Sequence, residues 1–177
     1  MEFYRNGRMV EGANSSFIVL IPKKCNPSKN LDYRPIALIG CIYKVISKVL
    51  ANKLKKVIGL IISESQSAFL SKRQILDGIL IANEIADEAR RKKKELLMFK
   101  VDFEKAYDSV DLNFLDCVMI RMGFYEKWRH SIAKCLKSSA VFILVNGSPT
   151  KEFKMQKGLR QGEPLSPFLF LILLLKA

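Results

Sequence analysis

Short β-type runs in this chain alternate with longer stretches of helical spacing, and that interleaving limits the fold more than any single residue does. Ser16 to Pro22 (Ser-Phe-Ile-Val-Leu-Ile-Pro) is a compact β-type run closed by a proline. Residues 23–35, with Asn26, Pro27, Asn30 and Pro35, read as a basic loop. Ile42, Val45, Ile46, Val49, Leu50, Leu54 and Val57 then recur at helical spacing, with Lys44, Lys48 and Lys55 opposite; the helix should stop near Gly59. Ile75 to Arg91 reads as a second helix, followed by a basic run to Lys94. Leu96 to Phe103 reads as a strand, and Asp111 as the cap of a helix running to about Met122. Glu126 to Leu136 is a further helix. Ala140 to Val145 and Thr150 to Met155 flank Asn146-Gly147-Ser148-Pro149 as a hairpin, and a closing helix starts near Pro167. Helices outnumber strands and the strands are scattered among them, so the expected class is α/β or α+β. The first 15 residues, polar and glycine-containing, read as a loose lead-in.

Charge adds a second constraint. Lys and Arg number 30 against 17 for Asp and Glu, a net charge of +13, which argues for a polyanionic partner. Residues 1–60 carry 11 basic and 3 acidic side chains, residues 61–120 carry 9 and 11, and residues 121–177 carry 10 and 3. Basic flanks folded around a mildly acidic centre would set carboxylates inside a positive cleft, able to hold a nucleic-acid backbone and divalent metal. Lysines solvated on helix faces give the same counts. The longest apolar run, Phe168 to Leu175, has eight residues, short of the roughly 18 a membrane span needs, so no membrane partner is expected. The N-terminus lacks an apolar signal region and the four cysteines are scattered, so an intracellular, reducing setting is expected. With a single histidine and no Cys-x-x-Cys pair, zinc is not expected.

Two stretches carry chemistry. In the first, Lys100 to Asp108, Asp102 ends an apolar run, where a carboxylate is costly unless a metal or a hydrogen bond satisfies it. Tyr107 follows five residues later. A strand-end aspartate capping the next turn is the plain alternative. In the second, Gly158-Leu159-Arg160-Gln161-Gly162-Glu163-Pro164-Leu165-Ser166-Pro167, two glycines let the backbone approach a ligand closely. Arg160 and Gln161 offer donors between them, and Ser166 and Pro167 suit a helix start. An ordinary loop entering a helix would look similar.

Together these stretches resemble a family. Asp102-Phe103-Glu104-Lys105-Ala106-Tyr107-Asp108 and Gly158-Leu159-Arg160-Gln161-Gly162 are similar to motifs A and B of reverse transcriptases. The pattern is nearest that of LINE-type, non-LTR retrotransposon enzymes of the kind common in plants. Phe17 to Lys23, Tyr33 to Leu38, Glu64 to Phe69 and Arg73 to Asp77 resemble, in order, the segments that precede motif A.

The resemblance implies a right-hand polymerase: residues 1–13 a lead-in, 14–95 a fingers-like part, and 96–177 a partial palm. It implies RNA-directed DNA polymerisation from an RNA template and a DNA primer, with deoxynucleoside triphosphates and two Mg²⁺ (or Mn²⁺) ions. Asp102 matches the metal-ligand aspartate, and the carbonyl of Phe103 a backbone ligand. Tyr107 matches the aromatic under the sugar. Gln161 and Gly162 match residues near the incoming nucleotide and template, and Lys23 and Arg34 match finger residues on the triphosphate. Asp108 is read as anchoring the turn after motif A. The family's third motif, Tyr-x-Asp-Asp, follows motif B and does not occur in these 177 residues, so a domain truncated before it and inactive alone is expected. A non-catalytic nucleic-acid-binding fragment, or an inactive retrotransposon relic, is the alternative. Glu163 stands where the family more often has Asp, Leu112 where Trp is common, and Lys72 where Gly is frequent, which reads as drift. Oligomeric state is not specified.

Overall fold

The structure is a computed structural model, and it describes residues 3, 5, 7, 9–10, 12–61, 66, 74–103 and 105–174. Its sheet is built on β1 (Ser15–Pro22), which pairs antiparallel with β2 (Tyr33–Ile39) on one side and parallel with β3 (Ala140–Val145) on the other. Ser16 stands opposite Ile39 in β2 and Val141 in β3, so segments about 120 residues apart in sequence share one ladder. Short strands β4 (Ser148–Pro149) and β5 (Phe153–Lys154) pair back onto β3. Asn146 and Gly147 both have positive φ, 50° and 80°, so they form the mirror-image turn that suits a two-residue hairpin.

β2 departs from the reading of residues 23–35 as a loop. Tyr33, Arg34 and Pro35 pair with Pro22, Ile21 and Leu20. Pro35 lacks an N–H and so argues against a central strand, but β2 lies at the sheet edge, where one side needs no donor.

Of the five α-helices among the described residues, all but the second close over a shared core. α1 (Cys41–Ile61) buries Tyr43, Ser47, Leu50, Ala51, Leu54 and Ile58. α2 (Ile75–Arg91) follows, then α3 (Leu112–Arg121), α4 (Glu126–Lys137) and α5 (Ser166–Leu174). α3 packs on α4 and α5, and α1 on α5. The core joins Leu54, Leu115, Met119, Ile132, Leu165 and Leu169, all essentially inaccessible to solvent. Truncating one such leucine to alanine costs about 2–5 kcal/mol. α5 is apolar on every side and mostly buried, with Leu174 alone exposed. The cap expected at Asp111 is present: its Oδ1 accepts from the backbone N–H groups of Asn113 and Phe114, each at 2.8 Å.

Three sequence expectations are corrected. α1 ends close to Gly59 as expected, but its buried stripe is rotated from the one expected: Ile42, Val45 and Val49 are exposed. The helix carries two apolar stripes, and the one with small residues, Ser47 and Ala51, allows the closer approach. The strand expected at Leu96–Phe103 is absent. Residues 95–103 have no regular structure and are exposed, with Phe99 at 81%. A strand forms only against a hydrogen-bonding neighbour, and none lies beside this segment among the described residues. Asn14, placed in the loose lead-in, is buried: its Nδ2 donates to the Cys135 carbonyl at 2.7 Å and to Ser138 Oγ at 2.8 Å. Among the described residues no helix is long and apolar enough to cross a membrane.

Candidate functional site

The site grows from the loop between β5 and α5. Gly158 has φ +90°, and its backbone lies so close to the preceding motif that a Cβ there would meet the Asp108 carbonyl oxygen at 3.0 Å. Only glycine relieves both constraints. The approach is fixed by two backbone bonds: Gly158 N–H donates to the Val110 carbonyl at 2.7 Å, and Leu159 N–H to the Tyr107 carbonyl at 2.8 Å. On the loop's other side, Ala37 N–H of β2 donates to the Gln161 carbonyl at 3.2 Å. One loop therefore links the turn at 105–109 to the edge strand of the sheet.

Alternate residues of this loop point apart. Arg160 is buried at 4% exposure beside Glu163 at 2%. Arg160 Nε donates to Glu163 Oε2 at 3.2 Å and Nη2 to Asn14 Oδ1 at 2.7 Å, while its guanidinium lies 4.2 Å over the Tyr43 ring. Tyr43 Oη donates to Glu163 Oε1 at 2.5 Å. Burial pushes the Glu163 carboxyl above its ordinary range, against the pull of Arg160 and Tyr43. Burial likewise pushes the Cys135 thiol up to about 12. Arg160 thus spends Nε and Nη2 inside the core, and only its buried Nη1 is without a partner among the described residues. Glu163 is the counter-ion of a buried arginine. Neither role was readable locally, because Tyr43 and Asn14 lie more than a hundred residues away.

Gln161 faces the other way, into a cleft of about 510 Å³ that Lys23, Tyr33, Arg34, Lys105, Tyr107 and Asp108 also line. Its volume falls in the range of small-molecule sites. Gln161 Nε2 approaches Asp108 Oδ1 at 3.5 Å. Lys23 Nζ donates to the Leu31 carbonyl at 2.9 Å, which ties it to the cleft wall. Tyr107 is half-buried, and its ring stacks on Phe170 of α5 at 5.0 Å; Phe103 meets the same ring edge-on at 6.5 Å. Burial raises the Tyr107 phenol above its ordinary value.

Of the residues singled out from sequence, the cleft brings together Lys23, Arg34, Phe103, Tyr107 and Gln161. It does not include Asp102, which is exposed, or Gly162, whose backbone (φ +93°) abuts Ala37 instead. Sequence reasoning gave no role to Tyr33 or Lys105; the signal was their position inside or beside the quoted motifs. Among the described residues no three His, Cys, Asp or Glu side chains converge. Asp102 and the Phe103 carbonyl form a partial donor set, one that suits Mg²⁺ only when further oxygen ligands complete it.

The sequence that builds this loop, turn and edge strand matches a known family. The model of the family described as reverse transcriptase (RNA-dependent DNA polymerase) matches residues 21–177, and the chain belongs to that family. The chain is 29% identical over 175 residues to the transposon TX1 uncharacterized 149 kDa protein of Xenopus laevis, covering 96% of this chain and 13% of that protein. It is 28% identical over 152 residues to a retrovirus-related Pol polyprotein from the type-1 retrotransposable element R2 of Popillia japonica, covering 85% and 21%. The R2DM Pol polyprotein of Drosophila melanogaster is 23% identical over 152 residues, covering 86% and 14%. These relatives bear out the resemblance to the non-LTR group. The chain spans between 13 and 21% of their length.

Proposed function

We propose that this chain is the nucleotide-receiving part of an RNA-directed DNA polymerase, and that a deoxynucleoside triphosphate enters the cleft beside Tyr107. The observation that carries the reading is the convergence of Lys23, Arg34, Tyr107 and Gln161, from three distant segments, on one cleft. Cations on the β2 side suit phosphate oxygens, the planar guanidinium of Arg34 above all. The Tyr107 ring, backed by Phe170, offers a flat face to a sugar and leaves little room for a 2′-hydroxyl. Gln161 presents an amide at the same wall. Template RNA and primer DNA would follow the basic flanks, inside the cell. Asp102 and the Phe103 carbonyl are the oxygens this chain would contribute toward divalent metal, which the family uses.

Photocrosslinking tests the reading directly. Radiolabelled dTTP irradiated with the 177-residue chain should attach to peptides containing Tyr107 or Gln161, and unlabelled dNTP should compete. Label that maps elsewhere, or resists competition, would overturn it. The same chain should extend no primer, since one motif A carboxylate cannot hold two ions; extension abolished by Asp102→Ala would refute that.

A further inference from the structure

α1 turns a second face to solvent. Its 21 residues include five lysines and no acidic residue. Lys44 and Lys48 lie one turn apart, and with Cys41, Val45 and Val49 they line an open depression of about 350 Å³. Ile42, Val45 and Val49 are all exposed. Among the described residues neither Lys44 nor Lys48 has an ion-pair or hydrogen-bond partner. Like charges at this spacing repel, and the aliphatic side chains beside them face water, so the face is unfavourable on both counts until something covers it.

α2 presents the complement. No described side chain of this helix is buried, and no other element packs on it as α1 packs on α5. Asp77, Glu84, Asp87 and Glu88 all precede its first basic residue, Arg90. Leu80 and Ile81 lie one turn before Glu84, and both are exposed, as Leu76, Ile79 and Ile85 are. Glu88 pairs only with Lys92 and Asp87 with Arg90, exposed contacts of little strength, and Glu84 has no partner among the described residues.

We propose that these two faces meet in a dimer: α2 of one copy lies along the outer face of α1 in a second copy, and a two-fold axis repeats the contact. Carboxylates then meet lysines, and the leucine and isoleucine side chains of α2 cover Ile42, Val45 and Val49. Because each copy carries both halves, the pairing closes on itself. The aliphatic stripe favours a helix over nucleic acid as the occupant. Single strands stack on aromatic rings, and the only aromatic of α1, Tyr43, is buried.

Sedimentation velocity of the 177-residue chain over a concentration series tests this. The unaltered chain should pass from monomer to dimer, and added salt should weaken the dimer. Lys44→Glu/Lys48→Glu and Glu84→Lys/Glu88→Lys each set like charges against one another and should weaken it by about tenfold or more. All four side chains are exposed, so the urea midpoint of each dilute variant should match that of the unaltered chain. Mixed in equal amounts, the two variants should recover the dimer, because each supplies the charge the other needs. A chain that stays monomeric throughout, or a dimer indifferent to both charge pairs, would overturn the proposal. So would failure to recover on mixing, or loss of the dimer in Leu97→Ser/Phe99→Ser, which would place the contact on residues 95–103. A monomer in which Lys44→Glu/Lys48→Glu lowers only RNA affinity would assign the face to nucleic acid instead.

Discussion

The loop Gly158–Glu163 carries the second of the two quoted motifs and the segment Glu95–Phe103 leads into the first, yet the fold treats them oppositely. The loop is fixed by backbone bonds to Tyr107, Val110 and Ala37, and by a buried ion pair whose partners come from α1 and from Asn14. The lead-in to Asp102 is far more apolar, with Leu96, Leu97, Met98, Phe99 and Val101, yet every one of these side chains is exposed. Hydrophobicity alone therefore does not order a segment; it must have a surface to cover and partners for its backbone. Gly158–Glu163 has both among the described residues.

The sharpest way to break this contrast is to remove the loop's internal anchor. Arg160→Ala leaves the Glu163 carboxylate buried without its counter-ion, and the expected loss is about 3–5 kcal/mol of unfolding free energy in urea melts. A loss under about 1 kcal/mol would show that the ion pair is incidental. Glu163 adds a pH signature. Its folded-state value lies above the ordinary 4.5, so its contribution is fully present below that value and declines as pH rises through the raised one. Urea midpoints of the wild type and Glu163→Gln, compared from about pH 4 to pH 8, should diverge in that sense. Asp32, lowered chiefly by its bond with Lys24, titrates the opposite way in both proteins and cancels in the difference.

Next in size is the close approach itself. Gly158→Ala must give up φ +90° and push against the Asp108 carbonyl, at an expected cost of about 1–3 kcal/mol. Gly123 serves as the control: it too has positive φ, but nothing lies within 4 Å of a Cβ there. If both alanine variants lose the same stability, contact with Asp108 contributes nothing and backbone strain explains the whole effect.

How much of this was legible depended on the range of the interaction. α2 runs from Ile75 to Arg91, the bounds its periodicity gave, and the Asp111 cap sits where residue type put it, because both are local. The buried face of α1 was not legible. Tyr43, Leu50, Leu54 and Ile58 form one apolar stripe and Ile42, Val45 and Val49 another, and only the packing partner selects between them. β2 was hidden by Pro35, which is harmless only at an edge that sequence does not reveal. Arg160 read as a ligand donor because its partners, Asn14 and Tyr43, are distant in sequence. The cleft residues were nominated by resemblance, not by spacing; their gathering depends on Gly158 and on the contact between Gln161 and Ala37.

A smaller effect separates ordered from exposed regions chemically. Cys135 is buried with its thiol pushed up to about 12, while Cys25, Cys41 and Cys117 are exposed. In the folded chain, a maleimide reagent should label those three quickly and Cys135 only after unfolding. Rapid labelling of Cys135 would mean that the packing of α4 against α3 opens readily.

The smallest expected effect tests the other arm of the contrast. Leu97 and Phe99 are exposed at 79% and 81%, so replacing both with serine removes almost no buried contact. Unfolding free energy should stay within about 0.5 kcal/mol, the usual bound for surface changes. Solubility should nevertheless improve, because a run of exposed apolar side chains on unpaired backbone invites association between chains. Light scattering at rising concentration would read that gain while the urea midpoint stays put. The two measurements together discriminate between explanations. A drop of 2 kcal/mol or more, the scale of a lost core side chain, would mean that residues 95–103 bury their apolar side chains in solution. The difference between the two motif segments would then vanish. Unchanged stability with unchanged solubility would leave the segment exposed but deny that its apolar side chains attract other copies.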